Sequence, residues 1–187
     1  PTRRSSDLRA RTAAIGVMAM RWGRRAWLVG VLGVVLACGS AGAQTPSSDW
    51  FWARVVSVSD GDTLRVDAGD GPTVVRLSGI DAPERRQAFG RRSRDHLAAL
   101  LGPEVLVSPR KRDRYGRLVA QVFASGQDVG LRQIEAGLAW HYTAYRREQP
   151  AEEVQRYAEA EQSARDRRAG LWAEAQPQPP WEFRRRR

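Results

Sequence analysis

Cysteine is almost missing from this chain. The single thiol, Cys38, rules out an intrachain disulfide and a cysteine-rich zinc site. Only two histidines are present, His96 and His141, so a histidine-built metal centre is disfavoured as well. Lysine is reduced to Lys111, leaving arginine to carry the positive charge. No apolar run approaches the roughly 20 residues that a membrane-spanning helix needs. What remains is a chain of 187 residues, enough for one domain with extensions.

The formal charge of +10 is unevenly spread. Residues 1–43 hold seven arginines against one acid, Asp7, and residues 184–187 are four consecutive arginines. The intervening body is close to neutral, so the global charge overstates the case for a polyanion partner. Local clustering is what counts.

From Met20 the order is Arg21, Arg24 and Arg25, then an apolar run from Ala26 to Ala37, then Ala41-Gly42-Ala43 before Gln44. A basic start, a short apolar stretch and small residues at a cleavage point are the layout of a secretory signal peptide, with cleavage expected after Ala43. Val35-Leu36-Ala37-Cys38 loosely matches a lipoprotein signal, so lipid anchoring at Cys38 stands as an alternative. Either route places the mature protein outside the cytoplasm, secreted or periplasmic. The expected organisation is an extension and signal peptide over 1–43, a linker over 44–50, a folded domain over 51–175 and a Pro/Arg-rich surface tail over 176–187.

Within the domain, 51–58, 63–67 and 73–77 read as three strands of a meander, with Gly69-Asp70-Gly71 as a hairpin turn. A helix follows over 87–101 and stops at Gly102-Pro103. Residues 105–107 and 118–124 read as the fourth and fifth strands, with a charged turn over 110–117 between them. Two more helices follow, over 129–136 and over 151–169, the second preceded by Pro150 and capped by Gly170. Five strands with a helix between the third and fourth give an α+β chain of the OB-type barrel, whose open face often meets nucleic acid.

Chemistry concentrates between Asp60 and Glu84. Asp60-Gly61-Asp62-Thr63 is followed by Arg76, then by Gly79-Ile80-Asp81-Ala82-Pro83-Glu84. Asp62 and Asp81 are hard oxygen donors suited to Ca²⁺ or Mg²⁺. Glu84 is placed to accept a proton from an attacking water. Arg76 is placed to clamp a phosphate. Each residue also has an ordinary reading: Asp60-Gly61-Asp62 as a plain turn, Arg76 as a solvated strand residue, Glu84 as a partner for Arg85 or Arg86, and Arg117 as a turn charge. The joint pattern favours the chemical reading.

The motifs Asp60-Gly-Asp62-Thr63, Arg76-Leu-x-x-Ile80-Asp81-x-Pro83-Glu84, Asp113-Arg-Tyr115-Gly-Arg117 and Gly137-Leu-Ala139 resemble the thermonuclease family, the staphylococcal or micrococcal nuclease type. Gly170-Leu171-Trp172 and Pro179-Pro180-Trp181-Glu182 are similar to its exported bacterial branch. The resemblance covers about residues 52–183. It implies an SNase-like OB-fold barrel with three α-helices and Ca²⁺-dependent endonuclease cleavage of DNA and RNA by a monomer, leaving 3′-phosphate ends. It further implies that Asp62, Asp81 and the Ala82 carbonyl carry the metal. Arg76 and Arg117 would grip the scissile phosphate, Glu84 would be the general base, and Tyr115 with Tyr142 or Tyr145 would line the nucleotide pocket. Ala82 stands where the staphylococcal form has Thr, and the loop after Glu84 is shorter, so Glu84 is expected to be held differently. The alternatives are a non-catalytic OB-fold nucleic-acid-binding module and an envelope structural protein. A pure binder gains nothing from three carboxylates beside a phosphate.

Overall fold

The structure is a computed structural model in which residues 49–186 are described. The signal-peptide and lipoprotein expectations fall outside those residues. No helix among the described residues is long and apolar enough to cross a membrane.

Five strands build the body: β1 (Phe51–Asp60), β2 (Thr63–Asp67), β3 (Pro72–Leu77) and, after a two-residue strand β4 (Ile80–Asp81), β5 (Glu104–Arg112) and β6 (Leu118–Ala124). Neighbours run β3-β2-β1-β5-β6, and a parallel pairing of β3 with β6 closes the ring. The outcome is a closed five-stranded mixed barrel with helices packed on it, the SNase-like OB arrangement expected. The meander arises as read. Alternation in β2 buries Leu64 and Val66 while Arg65 faces out. In the hairpin after it, the Asp67 carboxylate accepts from the backbone N–H groups of Gly69 and Gly71.

The fourth strand is longer than its apolar core suggests. β5 continues through Pro109 to Arg112, with a bulge between Pro109 and Lys111. A bulge is where a strand tolerates proline. The charge of 110–112 therefore belongs to the strand ladder, with Arg110 paired to the buried Glu153, and not to the turn, which shrinks to 113–117.

The helices are α1 (Gly90–Leu100), α2 (Val129–Glu135), α3 (Ala151–Asp166) and a short α4 (Pro180–Arg185), while β7 (Gln127–Asp128) and β8 (Trp140–His141) complete the elements. α1 starts three residues later than expected, because Phe89 takes a left-handed φ of 63°. α3 ends at Asp166 rather than running on to Ala169 with Gly170 as its cap. The fourth helix lies in the tail that the sequence reading assigned to the surface.

The core fills the barrel and its junction with the helices. Leu64, Val75, Leu97, Val107, Val122, Ile134 and Tyr157 are fully buried. Each large apolar side chain of this kind contributes about 1.5–3 kcal/mol by leaving water. A second cluster joins Trp140, Ala164, Leu171 and Trp172, with Trp181 packed against it. Two glycines hold this cluster to the rest. A Cβ on Gly170 would lie 2.2 Å from the Gly137 carbonyl oxygen, and one on Gly137 would lie 2.1 Å from that of Ala169. The Leu171 N–H donates to the same Gly137 carbonyl at 2.8 Å. The two Gly-Leu motifs read separately in the sequence are thus the two sides of one backbone contact.

Candidate active site

The cleft is built where β2, β3 and β4 come together. Thr63 pairs with Arg76 across the β2–β3 ladder, which sets the end of the Asp60–Asp62 turn beside Arg76. The turn is docked rather than solvated. A buried Gln133 amide on α2 donates to the Gly61 carbonyl at 2.6 Å. A Cβ on Gly61 would sit 1.8 Å from Ser93 Oγ and 2.8 Å from Ala82 Cβ. Gly61 is required for space and not for its backbone angle, since it is not among the positive-φ glycines. β4 pairs with β8, with Ile80 opposite His141 and Asp81 opposite Trp140, and this pairing carries Asp81 into the cleft fully buried.

Arg76 connects the two aspartates. One guanidinium nitrogen bonds to Asp62, and the other donates to Asp81 Oδ1 at 2.8 Å. Asp62 also accepts from the Ala82 N–H at 2.8 Å and from the Thr63 hydroxyl at 2.9 Å. Burial works to raise the Asp62 carboxyl, but the Arg76 charge and these hydrogen bonds hold it below its ordinary value. Asp62 is therefore an ionised carboxylate. Burial outweighs Arg184 and Arg76 at Asp81 and raises it. Asp60 is pushed up to about 7, first by burial, then by the Asp62 charge and a hydrogen bond to it. The sequence places Asp60 in the Asp60-Gly61-Asp62-Thr63 motif without a role of its own. The structure sets its carboxylate against the turn, where it accepts from the Asp62 N–H at 3.3 Å.

Glu84 stands at the rim, half-buried, on the short loop the sequence flagged. That loop is held from below. Gln87 accepts from the Glu84 N–H at 3.1 Å and returns its own N–H to the Glu84 carbonyl at 2.8 Å. The Gly90 backbone passes so close that a Cβ there would lie 2.0 Å from the Glu84 carbonyl oxygen. The Glu84 carboxylate accepts from Arg184 Nη1 at 2.9 Å. Arg184 was missed by the sequence reading. Its signal was Trp181, one helical turn earlier.

Asp62, Arg76, Asp81 and Ala82 are thereby one bonded constellation, and Arg184 joins Glu84 to it. The other expected residues lie around it in two groups. Arg117 donates to Asp113 at 2.7 Å and stacks over the Tyr115 ring at 5.4 Å, so its polar contacts are within its own turn. Strand pairing of Leu118 with Val75 and of Val119 with Arg76 sets that turn next to β3. Tyr115 is 68 % exposed, free to meet a ligand face. Tyr142 follows β8, donates its N–H to the Gly79 carbonyl at 2.8 Å, and packs against Tyr145 at 5.4 Å and Trp181 at 5.6 Å. Lys111 lies over the Tyr145 ring at 5.0 Å.

The region of the chain that carries Arg76, Asp81, Ala82 and Glu84 matches a known family. Residues 74–174 match the model of the staphylococcal nuclease homologues. An uncharacterized endonuclease of Escherichia coli O157:H7 is 40 % identical over 136 residues, covering 72 % of this chain and 85 % of that protein. The chain belongs to the staphylococcal nuclease family. A micrococcal nuclease of Shigella flexneri is 40 % identical over 145 residues, covering 72 % and 81 %. An uncharacterized endonuclease of Haemophilus influenzae is 39 % identical over 134 residues, covering 71 % and 72 %. As a member of the staphylococcal nuclease family the protein is a hydrolase of the nuclease class, and nucleic acid is its substrate.

Nucleases of this family depend on a metal ion. Among the described residues no group of three or more Asp, Glu, His or Cys is set up to hold one. The donors at hand are Asp62 and Asp81, joined through Arg76, with the Ala82 main chain bonded to Asp62. Two buried carboxylates are hard oxygen ligands. They fit a hard divalent cation that keeps several waters of its own.

Proposed function

We propose that this protein is an exported Ca²⁺-dependent nuclease that hydrolyses phosphodiester bonds of DNA and RNA with little sequence preference, leaving 3′-phosphate ends. The observation that carries the reading is the convergence of Asp62, Asp81 and Glu84 with Arg76 in one cleft. Three carboxylates gathered beside a phosphate-binding arginine would repel a polyanion unless they served a cation or a proton transfer. Export is supported by the signal-peptide layout over residues 20–43.

In this reading Asp62 and Asp81 hold the ion, with the Ala82 carbonyl beside them. A bound divalent ion supplies positive charge at the scissile phosphate and orients a water. Arg76, positioned by β3, donates to the phosphate oxygens as their negative charge grows. Arg117 approaches from the 113–117 turn and adds a second guanidinium. Glu84 accepts the proton of the attacking water. Tyr115, Tyr142 and Tyr145 offer ring faces and hydroxyls to the nucleotide beside the bond that breaks. In this reading the contacts go to phosphate and to base faces rather than base edges, which accounts for little sequence preference.

The test is digestion of single-stranded DNA, duplex DNA and RNA with Ca²⁺, with Mg²⁺ and with excess chelator. Cleavage that needs Ca²⁺ and yields 3′-phosphate ends is expected. Full activity in chelator would remove Asp62 and Asp81 from metal binding. Tight, salt-sensitive binding without cleavage under every ion would leave a binding module.

A further inference from the structure

The family match ends at residue 174, ten residues before a guanidinium that reaches into the cleft. Arg184 Nη2 donates to Asp81 Oδ2 at 2.8 Å, while Nη1 donates to Asp81 Oδ1 at 3.2 Å and to Glu84 Oε1 at 2.9 Å. Burial opposes the Arg184 charge, but the bonds to Asp81 and Glu84 more than offset it and raise its pKa further.

We propose that Arg184 is a positioning residue of the nuclease site: it fixes the Glu84 carboxylate in line with Asp81. The inference rests on the nuclease reading above. Three structural features carry it. First, the tail is docked, not draped. Trp181 packs edge-on against Trp140 at 5.5 Å and beside Tyr142, and Trp140 is the residue paired with Asp81. Second, a further tie lies next to Glu84: Gln87, which accepts from the Glu84 N–H, donates to the Gln178 carbonyl. Third, the loop of Glu84 is short and its side chain stands at the rim, so a base there needs an outside group to orient it. The planar fork of an arginine suits that task, since one guanidinium can address two carboxylates at fixed geometry. The Arg184 side chain is 43 % exposed and the Glu84 side chain 35 %, so the pair between these two contributes little to stability. Its effect is on geometry.

Arg184 also adds positive charge beside Asp81, which opposes a cation on the same carboxylate. This gives the position a signature. The purified protein, Arg184→Ala and Arg184→Lys are compared by calorimetric Ca²⁺ titration, by steady-state cleavage of single-stranded DNA and by thermal melting. Arg184→Ala is expected to bind Ca²⁺ about three- to tenfold more tightly, because an opposing charge is gone. The same variant is expected to lose about 10- to 100-fold in kcat with KM little changed, the usual scale for removing an orienting partner. Arg184→Lys keeps the charge and loses the fork, so it should bind Ca²⁺ like the wild type and still turn over slowly. Tighter ion binding with faster cleavage would overturn the proposal, making Arg184 a blocking cation. Weaker binding and slower cleavage with a lower melting temperature would overturn it too, reducing Arg184 to a packing contact. Unchanged values in all three would do the same. A wild type that cleaves nothing with any divalent ion removes the nuclease reading itself. The calorimetric arm then still tests whether Arg184 opposes a cation at Asp81, and equal affinities would sink that contact.

Discussion

Arg76 donates to Asp81 across 2.8 Å while its other nitrogen bonds to Asp62, so one strand guanidinium ties together two carboxylates 19 residues apart in sequence. A lysine has a single point charge and no planar fork. Arg76→Lys should lower kcat/KM by about 10²–10³-fold, the scale of losing one preorganised donor at a developing charge. Steady-state cleavage kinetics check this, and a rate within threefold of wild type would exclude Arg76 from phosphate contact.

Glu84→Gln keeps the shape of the side chain and removes its basicity. Substrate binding by a fluorescent oligonucleotide should be retained while most of the rate is lost. Asp81→Asn should instead weaken Ca²⁺ binding in calorimetry. The two variants separate the proton-transfer and ion-holding roles that share one cleft.

Gly61→Ala places a methyl group where Ser93 Oγ and the Ala82 methyl already stand. Overpacking of a buried contact costs about 1–3 kcal/mol. Because the intrusion pushes on the turn that ends in Asp62, ion affinity should fall together with the melting temperature. An unchanged melting curve would mean that the turn is not docked against α1.

Tyr157 is fully buried and donates to both oxygens of Asp128 at 2.9 and 3.0 Å. Burial first, and then the Asp128 charge, raises its phenol well above the ordinary value of 10.0. A group whose folded pKa is raised contributes stability that is complete below its unfolded value. That contribution is lost as pH climbs toward the folded one. Stability should therefore decline above about pH 10, with one of the four tyrosines titrating late in an ultraviolet titration. Tyr157→Phe removes the decline and costs about 1–3 kcal/mol at neutral pH, because Asp128 loses a buried donor.

At the 113–117 turn the sign reverses. Slight burial acts to raise Asp113, but hydrogen bonds from the Arg117 side chain and from the N–H groups of Arg117 and Tyr115 hold it below 3.8. A depressed carboxylate contributes stability above its unfolded pKa and loses it as pH falls through the folded one. Arg117 should therefore stay ordered until the pH falls below about 4. Asp113→Asn should loosen it at every pH, seen as a raised KM with kcat less affected.

The barrel was legible because its determinants are local. β2 alternates at a period of two, the 69–71 hairpin carries its glycines, and α3 begins just after Pro150. The cleft was legible in part for the same reason. Asp62, Arg76, Asp81 and Glu84 lie within 23 residues of chain folded as one meander, so their order along the sequence already implies their proximity. The reading failed where a residue type has two uses. Lys111 and Arg112 looked like a turn and are strand, since a solvated ladder accepts charge as readily as a loop does.

By itself, then, the sequence determined the order of the barrel strands, three of the four helices and the carboxylate–arginine set, all of which follow from spacing over a few turns of chain. Three matters were decided only in three dimensions. Arg184 meets Asp81 from 103 residues away. Gly137 and Gly170 press backbone to backbone. Gln133 fixes the Gly61 carbonyl from 72 residues on. Contacts of this kind leave no period and no spacing in the chain, because they depend on which faces the closed barrel and the docked tail bring together, and packing alone sets that.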